Sequence, residues 1–233
     1  MTGLGFGTGP HAFVADIDVP VLAPDDQHHL GRVLRVRDGD PLTVSDGAGR
    51  WRTCRFGPSL ADLGPVVTEP APTPAVRIGF ALVKGERPEL VVQKLTELGV
   101  DRITPFAAAR SVVRWDADRA ARNVDRLRRV AREAAMQSRR AWLPVVDEVT
   151  DLPSLIAGPG VAVAERGGAP PSLEWPTILI GPEGGWAAEE RSQFTATVAL
   201  GPQVLRAETA ALTAAALLGA LRDGLVIRRD PVG

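Results

Sequence analysis

The sequence predicts an α/β protein with a mostly parallel sheet, preceded by a smaller β-rich domain. Three observations lead to this prediction. Apolar strand-like runs alternate with helical patterns after residue 75, short strands and turns fill residues 11–70, and a proline-rich segment separates the two regions. The 233 residues are 45% hydrophobic and 24% charged. A chain of this length and composition has enough apolar residues for one large core or two small ones.

The first region is predicted to be a small β-barrel or sandwich. Turn sequences, Asp38-Gly-Asp40 and Asp46-Gly-Ala-Gly49, separate segments that alternate polar and apolar residues or are rich in β-branched residues. The predicted strands are residues 11–15, 41–45 and 51–56. Residues 69–74 then contain three prolines, a run that neither a helix nor a central strand tolerates. We therefore divide the chain into domains at 1–70 and 75–233.

The second region alternates strands with helices. Its strands are near-continuous apolar runs, typical of strands buried on both faces of a parallel sheet, and are predicted at 76–83, 102–106, 160–164, 177–180 and 197–200. Helices are predicted at 88–98, 117–137 and 207–221. The last helix is almost entirely Ala and Leu, so we expect the sheet, neighbouring helices or a second subunit to cover it on all sides.

Charge is unevenly distributed along the chain. The formal net charge is −1, which gives no global indication of a nucleic-acid partner. Between Arg119 and Arg140, however, eight arginines stand against two acids, Asp125 and Glu133. Such a segment can bind phosphate, although a solvated helix face or a general bias towards arginine explains it equally simply.

Several classes of protein are excluded. A single cysteine, Cys54, rules out an internal disulfide and a multi-cysteine zinc site, and it is typical of a reduced cytoplasm. The three histidines, His11, His28 and His29, lack metal-ligand spacing, so we expect no metal. No apolar run approaches the ~20 residues of a membrane span, and residues 1–10 lack signal-peptide features. We expect a cytoplasmic protein that binds no membrane.

Two loops directly after predicted strands carry the chemical signal. The first, Ile180-Gly-Pro-Glu-Gly-Gly185, can bring its backbone close to a ligand, or it can be a plain tight turn. It is neither a Walker loop nor a Gly-x-Gly-x-x-Gly fingerprint. The second, residues 200–210, places Arg206, Glu208 and Thr209 before the last helix. Glu208 or Thr209 can there serve only to cap the helix.

Motifs along nearly the whole chain resemble the RsmE family of bacterial 16S rRNA (uracil-N3)-methyltransferases, which belongs to the SPOUT superfamily. Six segments occur in the family order, and their combination is far more specific than any one of them. They are His28-His-Leu-Gly-Arg-Val-Leu-Arg35 with Gly39-Asp40, Gln93-Lys-Leu-Thr-Glu-Leu-Gly-Val100, Arg110-Ser-Val-Val113, Arg132-Glu-Ala-Ala-Met-Gln-Ser138, and the two loops at 181–185 and 200–210.

This resemblance implies a SPOUT-type, mostly parallel sheet with a C-terminal trefoil knot, an N-terminal PUA-like β-barrel that binds RNA, and a homodimer. It also implies that S-adenosylmethionine binds in the knot, between the two loops and the end of the strand near Ala164. The residues expected to contact this cofactor are Ala164, Glu165, Ile180, Gly181, Pro182, Glu183, Gly184, Gly185, Leu200, Gly201, Leu205, Arg206, Glu208, Thr209 and Ala210.

The implied reaction methylates N3 of a specific uridine in 16S rRNA, within the small ribosomal subunit. N3 carries a proton and lies on the Watson–Crick edge, so the base must be unpaired and the proton must leave. Arg206 is our candidate catalytic residue, because a guanidinium can stabilise the uracil anion; it can instead orient the loop through Glu208. Other polar candidates are Glu97, Glu133 and Gln137.

Cations on predicted helices and loops are expected to contact RNA. These are His28, Arg32, Arg35, Arg110, Arg114, Arg122, Arg126 and Arg129.

The chain departs from the family pattern at four places. Gln203 stands where the family usually has a basic residue, and Pro10-His11 stands in place of an arginine. Ala187 occupies a position that is often a small hydroxyl residue, and Arg139 follows Ser138 where Cys-Gly is common. Two other functions remain: an RNA-binding or ribosome-assembly protein without catalysis, and a SPOUT methyltransferase that acts on another RNA. Both cofactor loops are present, which favours the enzyme.

Overall fold

The computed structural model describes residues 9–82 and 87–227, which form two compact units. The first unit contains the described residues up to Ala71 together with Arg132–Leu143, and the second contains the remaining residues. The proline-rich segment therefore lies where the chain leaves the first unit, but the chain also returns to that unit later. The end of the predicted strand at Val83 and the chain beyond Ile227 lie outside the described residues.

The first unit contains a four-stranded sheet in the order β1-β2-β3-β4. Its strands are β1 (His11–Phe13), β2 (Pro41–Ser45), β3 (Arg50–Arg55) and β4 (Val67–Thr68), with helix α1 (Pro24–His28) and a π-helical turn (His29–Val33) between β1 and β2. The turn between β2 and β3 forms as predicted, because the Asp46 carboxylate accepts hydrogen bonds from the backbone amides of Ala48 and Arg50. Leu30, Leu42 and Val44 lie in the core of this unit.

The returning segment completes the first unit with an ion pair. Arg132 donates from both terminal nitrogens to the carboxylate of Asp26, at 2.8 and 2.6 Å. Its guanidinium also lies over the ring of Phe13, and Met136 packs on the core. Arg132 belongs to the arginine-rich segment, but its charge is neutralised inside the unit and it is not free to bind phosphate.

The second unit is built on a parallel sheet, as the sequence predicts. The strands follow the order β11-β9-β10-β5-β6-β7, with β8 also paired to β6, and every one of these pairs is parallel. Their bounds are β5 (Arg77–Ala81), β6 (Arg102–Ala107), β7 (Val145–Val146), β8 (Thr150–Asp151), β9 (Val161–Ala169), β10 (Thr177–Ile180) and β11 (Thr197–Val198). Strand β9 extends five residues beyond its predicted end. The carboxyl ends of these strands meet at one edge of the sheet.

Helices pack around this sheet close to their predicted positions. They are α2 (Arg87–Glu97), α3 (Ala117–Gln137), α4 (Leu152–Ile156), α5 (Ala188–Arg191) and α6 (Ala207–Arg222). One face of α6 is buried against the core, with Ala211, Ala214 and Leu218 fully covered, whereas Ala216 on another face is exposed. Within this chain α6 is therefore not covered on all sides.

Across the described parts of the chain, no helix is long and apolar enough to cross a membrane. The same ranges contain no group of three or more His, Cys, Asp or Glu side chains arranged to hold a metal ion.

Candidate active site

Three segments at the carboxyl edge of the parallel sheet enclose a cleft of about 420 Å³. They are the middle of β9, the loop that follows β10 and the loop that leads into α6. The lining residues are Ala164, Glu165, Arg166, Ile180, Gly181, Pro182, Glu183, Gly185, Trp186, Arg191, Leu200, Gly201, Gln203, Val204, Leu205, Arg206, Ala207 and Ala210. The volume falls in the range of about 300–1,000 Å³ that is typical of small-molecule sites.

Twelve of the fifteen residues expected to contact a cofactor line this cleft, and Gly184, Glu208 and Thr209 do not. Gly184 faces Arg110 instead: its carbonyl accepts a hydrogen bond from Arg110 Nη1 at 3.3 Å. A Cβ atom at Gly184 would lie 3.3 Å from the Arg110 backbone oxygen. The glycine thus allows the two loops to approach closely, whereas its predicted contact with a cofactor stays a prediction.

Trp186 forms a wall of the cleft that sequence reasoning missed. Its indole is buried, lies parallel to the ring of Phe106 at 6.1 Å and contacts Phe194 edge-on at 5.1 Å. A Cβ atom at Gly181 would lie 2.7 Å from this indole, so only glycine fits beside it. The available signal was a large aromatic residue directly after the glycine-rich loop.

Glu190 fixes the segment that follows this loop. One carboxylate oxygen accepts from the amide of Ala187 at 2.8 Å and the other from the amide of Ala109 at 2.7 Å. The carboxylate therefore anchors the start of α5 through the backbone amide of Ala187, the N-cap residue, while the side chain of Ala187 caps no amide of the first turn. It also connects this segment to the loop after β6.

The acidic side chains that line the cleft are held in ion pairs, whereas two of the basic ones form none within the described ranges. Both lining carboxylates already have partners: Glu165 pairs with Arg191 at 3.2 Å, and Glu183 pairs with Arg87 at 3.0 Å. Among the described residues, Arg166 and Arg206 form no ion pair or side-chain hydrogen bond, and both are exposed. The cleft therefore presents two guanidinium groups that are available to anions.

The second loop does not cap α6 in the predicted manner. Arg206 is the N-cap residue, and no side chain caps the helix. In the described part of the chain no ion pair joins Arg206 to Glu208, so the alternative role for Arg206, orienting the loop through this carboxylate, finds no support. Glu208 Oε2 is buried and has no hydrogen-bond partner among the residues described.

The other acid–base candidates lie away from the cleft lining. Glu97 pairs with Lys94 on α2, whereas Glu133 and Gln137 are exposed on α3. The ring of His11 is buried and hydrogen-bonds to Thr43 and Ser45. Burial lowers the pKa of His11 to about 4, so this residue is a neutral core histidine.

Burial also affects the single cysteine. Cys54 lies in the core of the first unit, and desolvation raises the pKa of its thiol to about 11. A thiol with such a pKa is not a nucleophile at neutral pH.

The expected RNA-binding cations are exposed in both units. His28, Arg32 and Arg35 lie on the surface of the first unit, whereas Arg110, Arg114, Arg122, Arg126 and Arg129 lie on that of the second. They are not equally free, because Arg126 pairs with Glu89 at 3.1 Å. Among the described residues, Arg122 and Arg129 have no such partner.

The models of known families match both units. A model described as an RNA methyltransferase domain matches residues 69–219, and one described as an RNA methyltransferase PUA domain matches residues 22–58. The chain thus contains an RNA methyltransferase domain and an RNA methyltransferase PUA domain.

Individual relatives narrow this class. The ribosomal RNA small subunit methyltransferase E of Mycobacterium bovis is 35% identical over 87% of both chains, and that of Bacillus subtilis is 30% identical over 83% of this chain and 86% of the relative. The chain belongs to the ribosomal RNA small subunit methyltransferase E family.

Solved structures of methyltransferases resemble this chain over most of its length. The Neisseria gonorrhoeae ribosomal RNA small subunit methyltransferase E, bound to S-adenosyl methionine, has a TM-score of 0.79 and 27% identity, covering 91% of this chain and 97% of that one. A Legionella pneumophila methyltransferase in complex with the same cofactor has a TM-score of 0.77 and 27% identity, covering 90% of this chain and 96% of that one.

Proposed function

We propose that this protein transfers a methyl group from S-adenosylmethionine to N3 of a specific uridine in 16S rRNA of the small ribosomal subunit. The observation that carries the proposal is the cleft itself: three segments at the carboxyl edge of the parallel sheet converge on one cavity, in a chain of this family. We further propose that it acts in the cytoplasm, where small ribosomal subunits are assembled.

The residues present fit S-adenosylmethionine. Apolar side chains of Ile180, Leu200 and Leu205 line the cleft and suit an adenosine, and the close backbone at Gly181 offers amide and carbonyl groups. The free guanidinium of Arg206 suits the carboxylate of a methionine. When bound, this cofactor supplies the electrophilic methyl group attached to its sulfonium.

Arg206 is our candidate for stabilising the developing negative charge on uracil. Methylation forms an N3–CH3 bond, breaks the S–CH3 bond and releases the N3 proton. Both carboxylates on the cleft are held in ion pairs, so we assign the proton to solvent rather than to Glu165 or Glu183. Because a guanidinium has five N–H donors, Arg206 can bind the cofactor carboxylate and also donate a charge-assisted hydrogen bond to a uracil carbonyl, which would lower the barrier to this loss.

The remaining parts of the proposal concern architecture. We propose that residues 1–70 form a PUA-like barrel that binds RNA, that residues 75–233 form a SPOUT domain with a trefoil knot, and that two copies form a homodimer. The match of residues 22–58 to a PUA model and the partly uncovered face of α6 support these assignments. Sedimentation equilibrium that gives a monomer mass at micromolar concentration would refute the dimer.

The experiment that tests the proposed function uses methyl-labelled S-adenosylmethionine with undermethylated ribosomal subunits. We expect the label to enter 16S rRNA and not 23S rRNA. If the label enters another RNA instead, the protein is a methyltransferase with a different RNA substrate. If calorimetry detects no cofactor binding while RNA binding is intact, the result would favour an RNA-binding or assembly protein without catalysis.

A further inference from the structure

Arg166 is a cation at the cleft that the proposed reaction does not use. It lies in β9, three residues beyond Val163, the last residue of this strand that pairs with β10. Its side chain lines the cleft and is exposed. It therefore stands at the rim of the cleft, where a macromolecular substrate would enter.

The protein supplies no counter-charge to Arg166. The neighbouring carboxylate, Glu165, is held by Arg191, and the other acid on the cleft, Glu183, is held by Arg87. Within the described ranges, Arg166 takes part in no ion pair and no side-chain hydrogen bond. The Arg191–Glu165 pair keeps that acid from neutralising its neighbour, so the guanidinium of Arg166 stays free to bind an anion from outside.

Two anions would come to this cleft, the carboxylate of the cofactor and the phosphates of the RNA. Arg206 is better placed for the carboxylate, because it is the N-cap residue of a helix of 16 residues whose amino end also favours negative charge. Arg166 is better placed for RNA. A base that presents N3 to the cleft must leave its stack, and the phosphates on either side of it are then drawn to the rim.

We infer that Arg166 binds a backbone phosphate next to the target uridine and so holds the extruded nucleotide at the cleft. This inference rests on the proposed function, since it takes RNA as the substrate. It adds a positioning contact at the cleft that is separate from the arginines on α3. The contact is an ionic hydrogen bond to a phosphate oxygen, so it carries no sequence information.

The test compares Arg166→Gln with Arg102→Gln as a matched control. Arg102 is also an exposed arginine of the second unit, but it begins β6 and thus lies at the opposite edge of the parallel sheet from the cleft. Its partner Asp147 keeps a second ion pair, with Arg77, so the control does not leave a carboxylate alone. Both variants remove one positive charge. Arg166→Lys adds a variant that keeps the charge.

The affinity for unmethylated 16S rRNA is measured at several salt concentrations with saturating S-adenosylhomocysteine, so that no reaction occurs. We expect Arg166→Gln to weaken RNA binding by about tenfold and to reduce the slope of log affinity against log salt by about 0.7. Arg166→Lys and Arg102→Gln should stay close to the wild type. Calorimetry should give an unchanged dissociation constant for S-adenosylmethionine in all variants.

Two results would overturn the inference. If Arg166→Gln weakens cofactor binding, its anion is the cofactor carboxylate; if its RNA affinity and salt slope equal those of the wild type, it binds no phosphate. The proposed function fails in a different way, by an absence of methyl transfer in the wild type. The binding assay does not depend on that transfer.

Discussion

The indole N–H of Trp186 donates to the carbonyl oxygen of Ala164 at 3.4 Å, which ties the loop after β10 to the middle of β9. Both residues line the same cleft. The indole is itself held between Phe106 and Phe194, so the wall it forms is fixed by packing on two sides. The shape of the cleft thus depends on an aromatic cluster beneath it as well as on the glycine-rich loop.

Gly181→Ala is expected to weaken the binding of S-adenosylmethionine by about tenfold or more, equivalent to ~1.4 kcal/mol. The added methyl group would lie 2.7 Å from the indole of Trp186, which cannot move aside because Phe106 and Phe194 hold it. Gly31→Ala is the control, since its methyl group would meet only the side chain of Phe56 at 3.6 Å. Calorimetry that gives equal affinities for both variants would show that Gly181 does not shape the site.

Arg129→Gln is expected to weaken RNA binding more than Arg126→Gln does. Both arginines are exposed on α3, but Arg126 is engaged by Glu89 at 3.1 Å and Arg129 has no ion-pair partner among the described residues. Loss of one phosphate contact should reduce the salt slope by about 0.7–0.9 for Arg129→Gln. Equal RNA affinities for the wild type and Arg129→Gln would show that this face of α3 contacts solvent and not RNA.

The pair between Arg132 and Asp26 is expected to stabilise the first unit. Arg132→Met leaves the Asp26 carboxylate, 10% exposed, without its counter-ion. We expect a loss of about 2–3 kcal/mol in the free energy of unfolding, below the cost for a fully buried pair because a third of the arginine side chain reaches solvent. The double variant Arg132→Met/Asp26→Leu should recover part of this loss. Urea unfolding in which the double variant is the less stable of the two would contradict this account.

Acid is expected to destabilise the first unit through His11. The folded-state pKa of about 4 lies below the ordinary value of 6.5, so the unfolded chain takes up the proton first. The neutral ring's contribution to the free energy of unfolding is fully present above about pH 6.5. As the pH falls towards 4, the free energy of unfolding decreases by about 2–3 kcal/mol.

The measurement is urea unfolding of the wild type and of His11→Asn at pH 7 and pH 4.5. Because Asn does not titrate, the variant should lose less stability than the wild type over this interval. An identical loss in the two proteins, or an NMR titration that protonates His11 near pH 6.5, would contradict the neutral buried ring.

Much of the fold was predictable because its signals are local. Buried strands read as apolar runs, and the long helix Ala117–Gln137 follows from its three-to-four-residue apolar spacing. The two loops at the cleft were found because each follows a strand, and the resemblance to a family indicated which ligand they would bind. These features need only neighbouring residues to be recognised.

What the sequence did not reveal depends on contacts between distant residues. Arg132 and Asp26 are 106 positions apart, and no spacing rule connects them. Trp186 and Arg166 reach the cleft only once β9 and β10 pair, and Gly184 meets Arg110 because β10 and β6 both pair with β5. The burial of His11 likewise follows from the pairing of β1 with β2.

The central claim is methylation of uracil N3, and the most direct test identifies the modified nucleoside. Undermethylated small subunits are incubated with the protein and S-adenosylmethionine, the 16S rRNA is digested, and the nucleosides are separated and identified by mass spectrometry. We predict one N3-methyluridine per subunit, absent when cofactor is omitted. A methyl group on another atom or base, or no methylated nucleoside despite measurable cofactor binding, would contradict the account.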